Sequence, residues 1–230
     1  VAPVIGTARW AIAAAERPRF PNEGSSLQRY ASVLNGVEVN SSFHGPHRRT
    51  TWERWAKDVP ESFRFAAKIP KEISHVRRLV DVDAPLDRFL EEAGGLGDKL
   101  AILLLQLPPS LEFDGDVAGA FLRSASSKTK ASIVVEPRHG SWFSPQADDL
   151  LAGLGIARVA ADPARIPAGG ATRRLAWPQL LPPAWFAGDV SVGLRRRAPA
   201  PIRRADHQRG VGWNASLVHV RQYRVVGSAR

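Results

Sequence analysis

Apolar residues in the first 162 positions fall into six short runs, each closing on polar residues and followed by an amphipathic stretch. The runs are Pro3–Thr7, Val37–Ser42, Phe63–Lys68, Ala101–Gln106, Ser132–Glu136 and Ile156–Asp162. Their richness in Val, Ile, Leu and Ala fits strands covered on both faces, as in a parallel sheet. Between them lie helical patterns. Leu27, Tyr30, Ala31 and Leu34 form one stripe behind a Ser25 or Ser26 cap. Trp52, Trp55 and Ala56 follow Thr51, and Leu86, Phe89 and Leu90 precede Gly94. Val117, Phe121 and Leu122 form a fourth stripe. Ser144 followed by Pro145 reads as an N-cap with proline at the first helical position, and Gly155 reads as the stop. Six alternations predict an α/β fold, either a (β/α) barrel or a doubly wound sheet.

After Asp162 the pattern fails. Prolines stand at 182, 183, 199 and 201, and only Ala215–Val220 reads as weakly strand-like. The charge changes at the same point. The 230-residue chain carries +10, and eleven arginines against Asp189 and Asp206 place +9 of it in residues 172–230. A division follows, with residues 1–165 as the α/β portion and 166–230 as a basic, proline-rich tail. Salt-dependent binding of nucleic acid or another polyanion would belong to that tail rather than to the α/β portion. No cysteine is present, which excludes disulfides, thiolate metal sites and a cysteine nucleophile. No apolar run is long enough to span a membrane, and the start lacks a basic leader, so the expectation is a cytoplasmic protein. The chain opens on Val1, which suggests a trimmed or non-ATG start.

Period-two alternation sorts the polar strand residues by face. Glu38 and Asn40 share one, with Ser42 next; Arg64 and Lys68 share another; Gln106 and Glu136 end the fourth and fifth runs, and Arg158 and Asp162 share a face in the sixth. Thr7 and Trp10 close the first run, and Arg138, His139 and Trp142 follow Glu136. Parallel sheets gather ligand sites at the carboxyl ends of their strands. Glu136 and Lys68 are therefore the expected acid–base pair, with Lys68 lowering the Glu136 pKa or stabilising an anionic intermediate. Arg138 and His139 are expected to hold a small anion, and Thr7, Asn40 and Gln106 to orient it. Trp10, Glu38, Ser42, Trp142 and Asp162 complete the expected pocket. His44, His47 and His75 are expected at the surface. Glu38, Glu136, His139 and Asp162 lack the local spacing of a metal set, and no metal is assigned. No dinucleotide, phosphate-loop, zincin or nucleophile-elbow motif occurs, so the cofactor is left open and hydrolase, lyase or isomerase chemistry is favoured over redox.

The same strand ends carry a family pattern. GTARW at 6–10, YASVLNGVEVNSSF at 30–43, RFAAKIPKEISH at 64–75, LLLQLPPSLEFD at 103–114 and VVEPRHGSWF at 134–143 resemble, in order, the segments of the YecE-like family, domain of unknown function 72. The resemblance covers residues 4–165 and implies a TIM-like barrel with its site at the carboxyl ends of the strands, but no established reaction. Ala8, Arg9, Ala11 and His44 depart from the pattern. The family's last two strands, an aromatic-Tyr-Arg-x-His-Gly segment and a Trp-Cys-x-Phe-Asp-Asn-Thr segment, are absent. Both can be written from codons for Gln179–Trp185 and Ser216–Arg224 read one base later. A frameshift between Asp162 and Gln179 would account for the charge break and the lost periodicity together, and the product could be inactive. A divergent basic tail is the alternative. Either way, loss of two strands would leave the first and sixth strands as open edges.

Overall fold

Local sequence decides where the helices begin. In the computed structural model, which describes residues 4–159 and 220–223, Ser25 caps α1 (Ser26–Ala31). Its side chain accepts from the Gln28 amide while the Gln28 side chain returns a bond to the Ser25 amide, closing a capping box. Asp114 caps α4 (Gly115–Ser127), and Ser144 caps α5 (Pro145–Gly153) with proline in its first turn. Gly155, at φ +68°, takes the left-handed conformation that releases the chain from α5. Helix α2 (Arg49–Lys57) starts two residues before Thr51, and α3 (Asp83–Ala93) ends at the expected glycines. The described residues all fall within one unit, and residues 176–218 lie outside the description.

The strands are β1 (Val4–Thr7), β2 (Gly36–Val39), β3 (Arg64–Lys68), β4 (Leu100–Gln106), β5 (Ser132–Glu136), β6 (Ala157–Arg158) and β7 (Val220–Tyr223). β1 to β6 form a curled parallel sheet in sequence order. Helices cover one face. Val37, Val39, Phe65, Ala67, Leu103, Leu105, Ile133 and Val135 pack there in a core with Trp52, Leu86, Phe121 and Leu151. The opposite face carries a small separate cluster of Ala66, Ala101, Ile102 and Val134. Two layers of unlike polarity thus arise from one alternation, apolar toward the helices and mixed on the other side.

Two departures from the sequence reading are structural. β1 is not an open edge, because β7 pairs with it antiparallel, Val4 opposite Tyr223 and Thr7 opposite Val220. The weak strand signal expected at Ala215–Val220 falls, but for Val220, outside the described residues; β7 covers Val220–Tyr223, where β1 supplies the ladder that local propensity alone does not. β6 is only two residues long before the description ends at 159, although the Val159 amide still donates to the Val135 carbonyl at 2.8 Å.

The β1–β2 seam is unusually close. Gly6 lies opposite Gly36, and a Cβ on Gly6 would overlap the Gly36 carbonyl oxygen. Glycine is required here by proximity rather than by its backbone angles.

Candidate functional site

Register decides which polar side chains meet. Glu38 lies opposite Ala66, Ala66 opposite Ile102, Lys68 opposite Leu104, Leu104 opposite Val134, and Gln106 opposite Glu136. Glu38, Lys68, Gln106 and Glu136 therefore share the face away from the helices, at or near the carboxyl ends of β2 to β5. All four are buried, at 1%, 6%, 5% and 5% exposure respectively. Placing three formal charges there opposes solvation, and such groups persist where partners hold them. Arg138 supplies one partner, with Nη2 3.4 Å from Glu136 Oε1. The Lys68 ammonium sits 4.3 Å from the centre of the Phe43 ring, a cation–π contact strengthened by burial. Among the described residues, Asn40 Oδ1, Gln106 Nε2 and Arg138 Nε are buried polar atoms without a hydrogen-bond partner. Such atoms are rare in folded proteins and cluster where a ligand or water completes the shell.

Ser42 organises the β2 and β3 ends. Its hydroxyl donates toward the Lys68 carbonyl at 2.7 Å and the Val39 carbonyl at 2.9 Å. The chain turns at Asn40 into a short 3-10 turn, Ser41–Phe43, which carries Phe43 under Lys68. His139 is held in place by Ser141, Nδ1 to Oγ 2.8 Å, and its ring accepts from the Ser141 amide at the head of the next turn.

Other expected members point elsewhere. Thr7 lies opposite Val37, on the helix side, and its Oγ1 is 3.0 Å from the Tyr30 hydroxyl. Burial raises the Tyr30 pKa, so that hydroxyl stays protonated. Trp10 packs edge-on against Trp55 at 5.0 Å. Trp142 is 1% exposed, donates its indole N–H to the Leu111 carbonyl at 3.0 Å and packs on Phe113. It is core, because its N–H has found its partner inside the core. Arg158 lies opposite Val135, on the helix side, with Nη1 2.6 Å from the Trp142 carbonyl and a close ion pair to Asp148 of α5. Asp162 lies outside the described residues.

The structure adds residues that sequence periodicity passed over. After β3 the chain makes a π turn, Glu72–Val76, and then three non-glycine residues of positive φ, Arg78, Leu79 and Asp81. Leu79 is buried and Arg78 Nη2 donates to the Ser110 carbonyl at 2.7 Å, so packing over-determines the strained segment. The wider turn brings half-buried His75 back beside Phe43, ring centres 5.0 Å apart. Burial lowers the His75 pKa, and the positive charges of Lys68, Lys71 and Arg138 lower it further. The mouth of the site is thus electropositive around a buried carboxylate. Beside it, a cleft of about 280 Å³ opens between the loops after β2 and β3, bordered by Phe43, His47, Lys71, Arg88 and Phe89. Among the described residues no three His, Asp or Glu side chains converge as a metal-binding set, and no helix is long and apolar enough to cross a membrane.

Comparison with known proteins locates this arrangement. The model of a protein family of unknown function, DUF72, matches residues 4–207. The chain is 28% identical over 148 residues to the UPF0759 protein YunF of Bacillus subtilis, covering 61% of this chain and 52% of that protein. It is 30% identical over 153 residues to the UPF0759 protein YecE of Escherichia coli K12, covering 66% and 54%. The chain thus spans about half the length of these curated relatives. A DUF72 family crystal structure from Enterococcus faecalis V583 superimposes with a TM-score of 0.55 at 23% identity, over 67% of this chain and 59% of that one. Another from Thermotoga maritima gives 0.53 at 21% identity, over 68% and 62%. Both are similar in fold.

Proposed function

Since this chain belongs to the DUF72 family, a family defined without a reaction, we propose from its geometry that the carboxyl end of the sheet is an acid–base site for a small anionic substrate. The observation that carries the reading is the burial of Glu38, Lys68, Gln106 and Glu136 on one sheet face, under a rim of Arg138, Lys71 and His75. Glu136 is the proton-transfer group. Arg138, 3.4 Å away, holds it and turns its remaining N–H donors to the anion. Lys68 stabilises negative charge that develops on the substrate, in a site where low polarity strengthens the attraction. Gln106 and Asn40 bring unpaired polar atoms that a substrate would satisfy. Proton transfer of this kind serves hydrolysis, elimination or isomerisation.

The same reading takes the six parallel strands as part of a TIM-like barrel, with the 1–165 portion distinct from the basic tail. Limited proteolysis tests that boundary, with the first cleavage expected between residue 165 and β7, which pairs with β1.

For the site, a panel of small phosphorylated and carboxylated compounds would be screened by thermal shift. At least one should raise the melting temperature of the wild type and fail with Lys68→Met and Arg138→Met. Glu136→Gln should keep the shift and lose any turnover found with that compound. If no anion shifts the wild type, or if the Lys68 and Arg138 variants respond as it does, the site assignment is wrong.

A further inference from the structure

His75 and Lys68 contact one ring: the Lys68 ammonium lies 4.3 Å and the His75 ring 5.0 Å from the centre of Phe43. The positive charges of Lys68, Lys71 and Arg138 all bear on the imidazole, and Arg138 is itself paired with Glu136 at 3.4 Å. His44 meets the same Phe43 ring edge-on, 5.1 Å between centres. Glu72, on the same turn, is engaged by Arg77 at 3.2 Å and Arg88 at 3.8 Å. His75 Nδ1 is 2.9 Å from Oγ of the fully buried Ser74, whose hydroxyl in turn reaches the Pro70 carbonyl at 3.4 Å. With that hydroxyl donating to Pro70, Ser74 accepts the Nδ1 proton, and Nε2 is the nitrogen open to a second proton.

Resting on the anion-site reading above, we propose that the substrate carries a doubly charged oxyanion of the phosphomonoester class, and that its arrival among Lys68, Lys71 and Arg138 draws one proton from solvent onto His75 Nε2. The imidazolium then donates to the oxyanion as an additional charged ligand. The balance is simple: one bond to hydrogen breaks in the buffer acid, one N–H bond forms at Nε2, and the buffer keeps the electron pair.

The physical reason lies in what holds the histidine neutral. Burial disfavours its charged form first, and the three neighbouring cations add repulsion. A dianion seated between them cancels that repulsion and replaces it with attraction. Binding and protonation therefore favour each other, and the coupling must be reciprocal. His75 lies inside the π turn Glu72–Val76, just ahead of the left-handed residues Arg78, Leu79 and Asp81.

Inorganic sulfate is the probe, because it stays doubly charged across the pH range in which histidine titrates. Calorimetry of the full chain at constant ionic strength, in two buffers of different ionisation enthalpy, should show up to about one proton taken up per sulfate. Affinity should fall by about tenfold per pH unit above the free His75 pKa. His75→Gln should bind more weakly without that slope, whereas His139→Gln should keep it. The His75 ring resonance in the wild type, followed by NMR, should titrate at higher pH with sulfate present, which tests the coupling without any variant. Sulfate that binds with no proton uptake and leaves the His75 titration unmoved overturns the proposal while the anion site stands. No sulfate binding to wild type, together with an unmoved titration, removes both.

Discussion

Replacing Ser42 by alanine deletes one hydroxyl from the seam between β2 and β3. Ser42 is 2% exposed, and its Oγ serves the Val39 carbonyl at 2.9 Å and the Lys68 carbonyl at 2.7 Å. One hydrogen is shared between two acceptors, so the loss counts as one good bond with a second acceptor left short. A buried polar group deprived of its partner costs about 1–3 kcal/mol. The cavity left by one oxygen is small, so no packing loss is added. For a chain of this size each kcal/mol moves the melting temperature by about 2–4 °C, so a loss near the middle of that range lowers it by roughly 4–8 °C. The assay is urea unfolding followed by tryptophan fluorescence, with Ser126→Ala on the exposed side of α4 as the control. Ser42→Ala should lower the midpoint at unchanged m, and the control should stay within about 0.5 kcal/mol of wild type. A Ser42→Ala midpoint equal to the control would mean that the two carbonyls are satisfied without the hydroxyl, and that Ser42 does not hold the Lys68 backbone.

Trp142→Ala should cost about 3–5 kcal/mol, as removal of a buried aromatic does, and Trp142→Phe less, losing the Leu111 bond and part of the ring's packing; an Ala variant within about 1 kcal/mol of wild type would contradict its core placement. Gly6→Ala should fold poorly because of its overlap with Gly36, whereas Gly45→Ala, which meets nothing within 4 Å, should melt like wild type; equal melting of the two would reject the β1–β2 register. Burial lowers the pKa of His47, outweighing the opposing effect of Glu92, so the unfolded chain binds more protons than the folded one as pH falls through the ordinary histidine value of 6.5. Stability should therefore be full above that value and decline below it, and His47→Gln should flatten the midpoint-versus-pH curve; an unchanged slope would disconnect His47 from it.

Much of the scaffold was legible because its signals are local. The Ser25 capping box, the Ser144-Pro145 start and the alternation that sets Lys68, Gln106 and Glu136 on one face need no knowledge of partners. Thr7 ends its strand as the other expected residues do, but β1 is only four residues long, and its pairing, Thr7 opposite Val37, turns the side chain toward the helices. Trp142 resembled a pocket wall only because it follows a strand end; its indole bond to Leu111 is a long-range fact. His75 reads as a surface residue in sequence; its contact with Phe43, from a π turn one strand away, is a tertiary fact that strand and helix periods do not carry.

The pairing of β7 with β1 has a consequence for synthesis. Among the described strands, the earliest in the chain has the latest as a neighbour, Val4 opposite Tyr223. Until that neighbour emerges, one side of β1 presents unused amide and carbonyl groups to any other extended chain. Contacts so distant in sequence also close slowly, because a long loop must be ordered before they form. The vulnerable interval for this protein is therefore translation itself. Slowing elongation between the codons for β6 and β7 should raise the aggregated fraction, while the completed fold is unaffected.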